Sequence, residues 1–401
     1  MTAPAAPAPR FTGSFTQQEP LPDDAIAAAL EVMRHGRLHR YNLAPGEAGE
    51  TALLEEDFAA FTGARYCLAV ASGGYALACA LRALGVAPGA PVLTNAFTLA
   101  PVPGAIVSVG AHPILVEITE DLVIDLHDLA QKARASGARV LMLSHMRGHI
   151  ADMGALMACA QALGLQVIED CAHTMGASFA GVASGRHGVL GCYSTQTYKH
   201  MNSGEGGLIV GDDPQIMARA VLLSGSYMLY PRHRAAPPPE AFADLRLETP
   251  NVSGRMDNLR AALLRPQLAR LPARAARWNA LHDRLAAGLR DVAGVALARS
   301  AARAAPVRSS FQFRLPGWSG DRIAALVARA AERGVELKWF GAPVPQGFTS
   351  THASWRYLPP QALPRTDAVL ATLLDLRLPL TFSEGDVDLI ARILAEEIAR
   401  G

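Results

Sequence analysis

Residues Cys192 to Gly207 read CYSTQTYKHMNSGEGG. A single lysine, Lys199, lies among small polar residues, and a glycine-rich turn after it leads into the apolar run LIVG. Glycines allow a backbone to approach a flat ligand closely. A lysine that forms a Schiff base must reach its carbonyl partner unprotonated, which burial near other cations achieves. Lys199 is therefore a candidate nucleophile, and the alternative is an ordinary surface lysine.

Upstream of this stretch, short apolar runs alternate with segments that have the apolar spacing of helices. Between Tyr66 and Gly211 the runs are YCLAVA, PVLTNA, HPILVE, RVLMLS, LQVIED and GLIVGD. Strands that alternate with helices predict an α/β fold with a mostly parallel sheet covered on both faces. A first helix is expected before the sheet, from Asp23 to Arg37.

The proline run at 237–239 ends this alternation. Two helices, 256–271 and 273–289, are expected to lead out of the sheet. We predict a large domain over 1–270, which includes the N-terminal helix, and a smaller C-terminal α/β domain over 271–401. The smaller domain should hold an apolar stretch around 309–315, a helix over 321–333 and a last amphipathic helix after Ser383.

Composition limits the partners of the chain. Its 401 residues carry 37 lysines and arginines against 36 acidic residues, so no broad basic field is available for nucleic acid or an anionic membrane. No apolar run reaches the roughly 18 residues of a membrane span. Five scattered cysteines without CxxC pairs fit a reducing compartment. We expect a cytoplasmic protein whose partners are small molecules.

A second candidate is Asp170, at the end of the apolar run LQVIED. The carboxyl end of a parallel strand faces the crevice where ligands of open α/β sheets bind. The alternative is that Asp170 caps a following helix.

A third candidate is the turn Ser72-Gly73-Gly74, where free backbone N–H groups at a helix start can bind phosphate. Many turns between strands and helices look the same, so this motif is weak alone.

Taken in order, these elements resemble the DegT/DnrJ/EryC1/StrS family of aminotransferases, which depend on pyridoxal phosphate (PLP) and aminate keto-sugars. The resemblance runs from about residue 50 to 270 and more faintly beyond. The matching elements are Ser72-Gly73-Gly74-Tyr75-Ala76-Leu77, His145-Met146-Arg147-Gly148, Glu169-Asp170-Cys171-Ala172, Ser194 with Lys199, and Gly204-Glu205-Gly206-Gly207.

The resemblance implies a type I PLP-dependent transferase fold, PLP as cofactor, and a homodimer with shared active sites. It makes Lys199 the Schiff-base lysine, Asp170 the partner of the pyridine nitrogen, and His173 a neighbour of the phenolic oxygen. The expected cofactor-binding residues besides Lys199 and Asp170 are Ser72, Gly73, Gly74, Ala172, Ser194 and Gln196.

Two positions depart from the family pattern. The residue that stacks on the cofactor ring is usually aromatic, but here Leu99 falls in that column, and Phe97 could serve instead. Ser253 replaces an asparagine that commonly reaches the partner subunit's phosphate. Both Leu99 and Phe97 are retained as cofactor candidates, and so is Ser253, because serine still donates one hydrogen bond.

The substrate candidates are His145, Arg147 and Arg40. Arg147 follows a strand end, and Arg40 lies in a segment that departs from the sugar-enzyme pattern. A guanidinium binds a carboxylate or phosphate through paired hydrogen bonds, so either arginine could bind an anionic substrate group. The alternative for each arginine is a structural ion pair.

His145 and His149 are four residues apart, but Gly148 lies between them and no zinc motif surrounds them, so no metal is expected.

The favoured activity is transamination from an amino acid, glutamate or glutamine, to a keto-sugar or related carbonyl acceptor. One alternative is a PLP-dependent dehydratase, although dehydratases of this family tend to have histidine in place of the lysine. The other is a PLP-binding regulator without turnover, for which neither the charge balance nor the helices suggest a DNA-binding module.

Overall fold

A computed structural model describes residues 9–401 of the chain, so the first eight residues of the predicted large domain lie outside it. Its α-helices are α1 (Asp23–His35), α2 (Glu50–Thr62), α3 (Gly73–Ala83), α4 (Pro101–Ser108), α5 (Leu126–Ser136), α6 (Met153–Ala162), α7 (Pro214–Leu223), α8 (Leu245–Glu248), α9 (Asn258–Leu289), α10 (Gly320–Glu332), α11 (Pro364–Leu370) and α12 (Glu384–Ala399). Short 3-10 helices cover Met146–Gly148, Tyr227–Arg232, Pro239–Phe242 and His352–Ser354.

The strands are β1 (Tyr66–Val70), β2 (Pro91–Asn95), β3 (His112–Val116), β4 (Val140–Ser144), β5 (Gln166–Asp170), β6 (Ser178–Phe179), β7 (Val182–Ala183), β8 (Leu190–Ser194), β9 (Gly207–Gly211), β10 (Ala304–Ala305), β11 (Ser310–Arg314), β12 (Lys338–Trp339) and β13 (Leu373–Arg377). All six apolar runs of the sequence form strands, and β8 and α2 were not predicted.

The central sheet has seven strands in the order β1-β9-β8-β5-β4-β2-β3. Only β9 is antiparallel to its neighbours, so the predicted, mostly parallel sheet is confirmed. Every residue of β1, β4, β8 and β9 is buried, which explains why the sequences of β1, β4 and β9 do not alternate between apolar and polar residues. The carboxyl ends of β1, β2, β4, β5 and β8 lie along one edge, and the candidate residues follow these strand ends.

Helices cover both faces of this sheet. On one face, side chains such as Leu68, Met142 and Ile168 share a core with α3 and α7. On the other face, side chains such as Leu141 and Val167 share a core with α9 and the C-terminal elements. The sheet is thus the middle layer of three, as predicted for a doubly covered α/β fold.

Helix α9 corrects the prediction of two separate helices. Its 32 residues run through Pro266 and Pro272 without interruption. An internal proline costs a helix about 3 kcal/mol, but α9 buries a long apolar face, including Leu264, Leu271 and Trp278, which outweighs that cost. The predicted domain boundary at 270 therefore falls inside a continuous helix.

The C-terminal region holds a three-stranded antiparallel sheet, β11-β13-β12. Phe11 and Phe15, near the start of the described chain, pack edge-on against Phe382 of this region. The backbone N–H of Phe11 also donates to the carbonyl of Arg333, with 2.9 Å between N and O. The N-terminal segment thus contacts residues of the predicted C-terminal domain, although the sequence places it in the predicted large domain.

No helix among residues 9–401 combines the length and the apolar character needed to cross a membrane.

Candidate active site

Lys199 lies in the loop between β8 and β9, at the sheet edge where the parallel strands end. Its Nζ is 2.9 Å from Nε2 of His173. Burial, together with the positive charges of Arg147 and Arg377, lowers the pKa of Lys199 to about 7, although Asp170 opposes this shift. A large fraction of the amine is therefore neutral near pH 7, as a nucleophile and proton acceptor requires.

His173 is also held in its neutral form. Burial, and then the charge of Lys199, lower the pKa of its imidazole well below the usual range. Because the imidazole is neutral, it does not place a second positive charge next to the Lys199 amine. His173 reaches this position because it follows β5 by three residues.

Asp170 is the last residue of β5, and two hydrogen bonds fix its carboxylate. Oδ2 accepts from the Ser144 hydroxyl at 2.8 Å, and Oδ1 accepts from the backbone N–H of Ala172 at 3.1 Å. Ser144 itself accepts from the Thr98 hydroxyl at 2.8 Å. No helix follows Asp170, since residues 172–176 form a turn, so helix capping does not account for this carboxylate.

The turn after β1 forms a narrow cradle with the end of β8. Ser72 caps α3, and its Oγ accepts from the N–H of Tyr75 at 3.1 Å. A Cβ at Gly73 would lie 2.7 Å from the Cβ of Ser194, so only glycine fits there without a shift. The N-terminus of α3 and the hydroxyls of Ser72 and Ser194 thus lie close together, which is the donor set that a phosphate group needs. These residues fit the phosphate of PLP.

Other candidates lie around this cradle. Gln196 is half-buried, and its Oε1 accepts from the N–H of Tyr198 at 3.0 Å. Ala172 and Leu99 are also half-buried and retain accessible surface. Ser253 is exposed, and its Oγ accepts from the Arg255 guanidinium at 3.2 Å.

Phe97 occupies a different environment from the one expected. Only 1% of its surface is exposed, and its ring packs edge-on against Phe340 with 5.1 Å between centroids. A residue that stacks on a cofactor needs accessible surface in a structure that holds no ligand. Phe97 therefore contributes to the core, and Leu99 remains the candidate for stacking.

Arg40 is an interior side chain rather than one that faces the sheet edge. Its two terminal nitrogens each donate to Glu55 at 2.8 Å, and one also lies 2.9 Å from the imidazole of His233. Burial raises the pKa of Glu55, but the charges of Arg40 and His233 outweigh it and lower that pKa to about 2. This geometry corresponds to the structural ion pair, and it corrects the expectation that Arg40 binds substrate.

His145 is also engaged away from the cavity. Its Nε2 lies 3.0 Å from Glu169, and 1% of its side chain is exposed. Three backbone N–H groups, from Gly185, His187 and Gly188, complete the contacts of Glu169. His145 therefore positions the strand end and does not face a substrate.

Arg147 does border the cavity beside Lys199, together with His173 and Tyr198. Its Nη2 is 2.9 Å from the Asp375 carboxylate. A second arginine, Arg377, borders the same cavity, and sequence reasoning missed it. The one available signal was that Arg377 interrupts the apolar run LLDLRLPL, but that pattern alone does not indicate which cavity the side chain borders.

Comparison with known proteins agrees with this geometry. The model of the DegT/DnrJ/EryC1/StrS aminotransferase family matches residues 23–395. The chain belongs to this family.

Two curated relatives and one solved structure illustrate the likeness. The dTDP-3-amino-3,4,6-trideoxy-alpha-D-glucose transaminase of Streptomyces venezuelae is 31% identical over 362 residues, which cover 89% of this chain and 88% of the relative. The L-glutamine:scyllo-inosose aminotransferase of Streptomyces griseus is 29% identical, over 77% of this chain and 73% of the relative. The crystal structure of 3-amino-5-hydroxybenzoic acid (AHBA) synthase superposes with a TM-score of 0.82 at 27% identity, over 98% and 100% of the two chains.

The protein is thus an aminotransferase of the DegT/DnrJ/EryC1/StrS family with the fold of PLP-dependent aminotransferases. Membership in this family implies PLP as cofactor. The cradle at Gly73 and Ser194, the fixed carboxylate of Asp170 and the neutral amine of Lys199 fit the phosphate, pyridine nitrogen and aldehyde of that group.

Proposed function

We propose that this aminotransferase transfers an amino group from glutamate or glutamine to a keto-sugar or a related carbonyl acceptor. The observation that carries the proposal is the half-buried Lys199 amine, which lies 2.9 Å from His173 and whose pKa is lowered to about 7. The names of the relatives support the donor and acceptor classes, since one uses L-glutamine with an inosose and another makes an amino-sugar nucleotide.

Each residue has a defined task in this proposal. PLP, when bound, supplies the electron sink for bond breaking at the substrate Cα. Lys199 binds the cofactor in the resting enzyme, and its freed amine moves a proton to and from the substrate. Asp170 would hold the proton of the pyridine nitrogen, because hydrogen bonds from Ser144 and Ala172 fix the position of its carboxylate. His173 donates to the phenolic oxygen and orients the amine.

The remaining residues hold the cofactor in place. Ser72, Gly73, Gly74 and Ser194 bind the phosphate, and Gln196 shapes the loop that carries Lys199. Ala172 and Leu99, both half-buried, would pack against the two faces of the ring. Arg147, the one predicted substrate residue that borders the cavity, binds an anionic group of a substrate.

The proposal includes a cytoplasmic homodimer with shared sites. Ser253 is exposed and so is available to a second copy. Helix α1 exposes Ile26, Leu30 and Met33, which are spaced along one face and which a second chain can cover. Sedimentation velocity should give twice the mass of one chain, and a monomer at working concentration would contradict this part.

The activity is tested with the amine-loaded enzyme and a panel of ketones and aldehydes, sugar and non-sugar. Return of the visible absorbance that marks the Lys199 Schiff base identifies an acceptor. A dehydratase would instead eliminate water from the sugar and leave no amino group on the product, and a regulator would give neither change. Lys199 itself favours transamination, because the dehydratases of this family tend to carry histidine there.

A further inference from the structure

The turn after β4 holds Arg147 in an unusual backbone conformation. Its φ is 56°, in the left-handed region that a residue with a side chain rarely adopts, and Gly148 follows with a φ of 87°. Such strain costs of order 1–3 kcal/mol and persists only where the surroundings enforce it. A Cβ at Gly148 would lie 2.9 Å from the carbonyl oxygen of Val307, so the smaller domain packs directly on this turn. The strained turn places the Arg147 side chain between the two domains.

Arg377 approaches the same cavity from the smaller domain. It is the last residue of β13, and its guanidinium carbon lies 3.6 Å from the centre of the Tyr198 ring. Tyr198 precedes Lys199, so this stacking fixes Arg377 next to the reactive amine. Within residues 9–401 the Arg377 guanidinium has neither an ion pair within 4.0 Å nor a hydrogen bond to a protein group, and its side chain is half-buried.

Two of the acidic groups near Arg377 are already engaged, and a third, Glu336, is exposed to solvent. Asp375, fully buried, lies 2.9 Å from Arg147 and accepts from the Gln312 amide at 2.6 Å. Glu19, which also borders the cavity, pairs with Arg277 at 2.8 Å. Neither carboxylate is therefore available to neutralise Arg377.

The cavity accordingly carries an excess of positive charge. Burial and the charge of Arg147 lower the pKa of Arg377, although Tyr198, Asp375 and Glu336 oppose this shift. The Nε atom of Arg147 is buried and has no hydrogen-bond partner among the described residues. An anion placed here would satisfy both guanidinium groups, and a planar carboxylate matches their geometry.

We propose that Arg377 and Arg147 form an anion subsite that binds a carboxylate group of the substrate beside Lys199. This proposal rests on the proposed function, since it assumes that substrates react at Lys199. The carboxylate belongs either to the amino donor or to the carbonyl acceptor, and the chemistry of recognition is the same for both.

The test uses the holoenzyme with three variants: Arg377→Gln, Arg377→Lys and, as control, Arg299→Gln. Arg299 is 86% exposed and pairs with Asp121 on the surface, so its loss removes one charge without touching the cavity. Succinate is the probe, and its binding is followed through the visible absorbance of the resting enzyme. The apparent affinity for L-glutamate is measured separately in single turnover.

Arg377→Gln should weaken succinate binding or glutamate affinity by about 10- to 100-fold, as expected for loss of a charge-assisted hydrogen bond. Arg377→Lys should show an intermediate loss, and Arg299→Gln should match wild type. A parallel loss for glutamate assigns the carboxylate to the donor, whereas a loss for succinate alone assigns it to the acceptor.

The proposal is overturned if Arg377→Gln binds both succinate and glutamate within twofold of wild type. The proposed function is judged separately, by whether the wild-type enzyme forms its visible absorbance and accepts an amine from glutamate at all.

Discussion

At the scale of single residues, the protonation of Lys199 controls how the enzyme acquires its cofactor. The neutral amine attacks the aldehyde, so the rate of PLP capture by cofactor-free enzyme should rise with pH through about 7. Arg147→Gln removes a positive charge that lowers the lysine pKa, so the midpoint should move to higher pH. Stopped-flow absorbance between pH 5.5 and 10 measures both midpoints, and a wild-type midpoint near 10 would contradict the account.

Asp170 should matter for the reaction more than for binding. Asp170→Asn is expected to retain cofactor but to slow the half-reaction with glutamate by orders of magnitude, because a neutral amide does not hold the pyridinium proton. The matched control is Asp213→Asn. Asp213 is the N-cap residue of α7 and lies far from Asp170 in sequence, and asparagine can take over its capping hydrogen bonds. Near-wild-type single turnover in Asp170→Asn would remove Asp170 from the mechanism.

The sequence predicted that the candidate residues at the strand ends lie in one site, but it did not predict every residue that borders this site. Lys199, Asp170 and His173 follow adjacent strands, and a parallel sheet necessarily brings such strand ends together. Arg377 is the last residue of β13, far along the chain from Lys199, and no local pattern links the two. Arg40 was misjudged for the same reason, since its partner Glu55 lies on α2, which the sequence reasoning did not identify.

At the scale of elements, the turn from β1 into α3 depends on the absence of a side chain at residue 73. Gly73→Ala would place a Cβ 2.7 Å from the Cβ of Ser194 and force the two segments apart. We expect cofactor affinity to fall by at least about tenfold, because the phosphate donors separate. Gly104→Ala in α4 is the control, since a Cβ there meets nothing within 4 Å. Equal PLP affinities for the two variants, measured by equilibrium titration, would argue against the cradle.

The prediction of strands succeeded where apolar residues formed a nearly continuous run. The six apolar runs became strands, and most of their residues are buried. Helix α9 was divided in error, since two prolines end most helices, whereas here the buried side chains of one long face maintain it. Strand β8 was missed because its sequence, LGCYS, includes a glycine and polar residues.

At the scale of the whole molecule, the cluster of Arg40, Glu55 and His233 joins distant parts of the larger domain. Glu55 also accepts from the backbone N–H of Ala69 in β1 at 2.8 Å. Arg40→Ala leaves a buried carboxylate without its partner, so the free energy of unfolding should fall by about 3–5 kcal/mol.

The control for this prediction is Arg234→Ala, which breaks the exposed pair with Glu56 and should lower the free energy of unfolding far less than Arg40→Ala. Chemical denaturation of the cofactor-free proteins measures both values. If Arg40→Ala is as stable as Arg234→Ala and binds glutamate more weakly, Arg40 is a substrate residue after all.

The central claim is that Lys199 holds the cofactor and releases it to an amino donor. Borohydride reduction followed by peptide mapping measures the fraction of Lys199 that carries the cofactor, before and after incubation with L-glutamate. The account predicts nearly complete labelling of Lys199 at rest and loss of that label after glutamate. Label on another lysine, or label on Lys199 that neither glutamate nor glutamine removes, would contradict it.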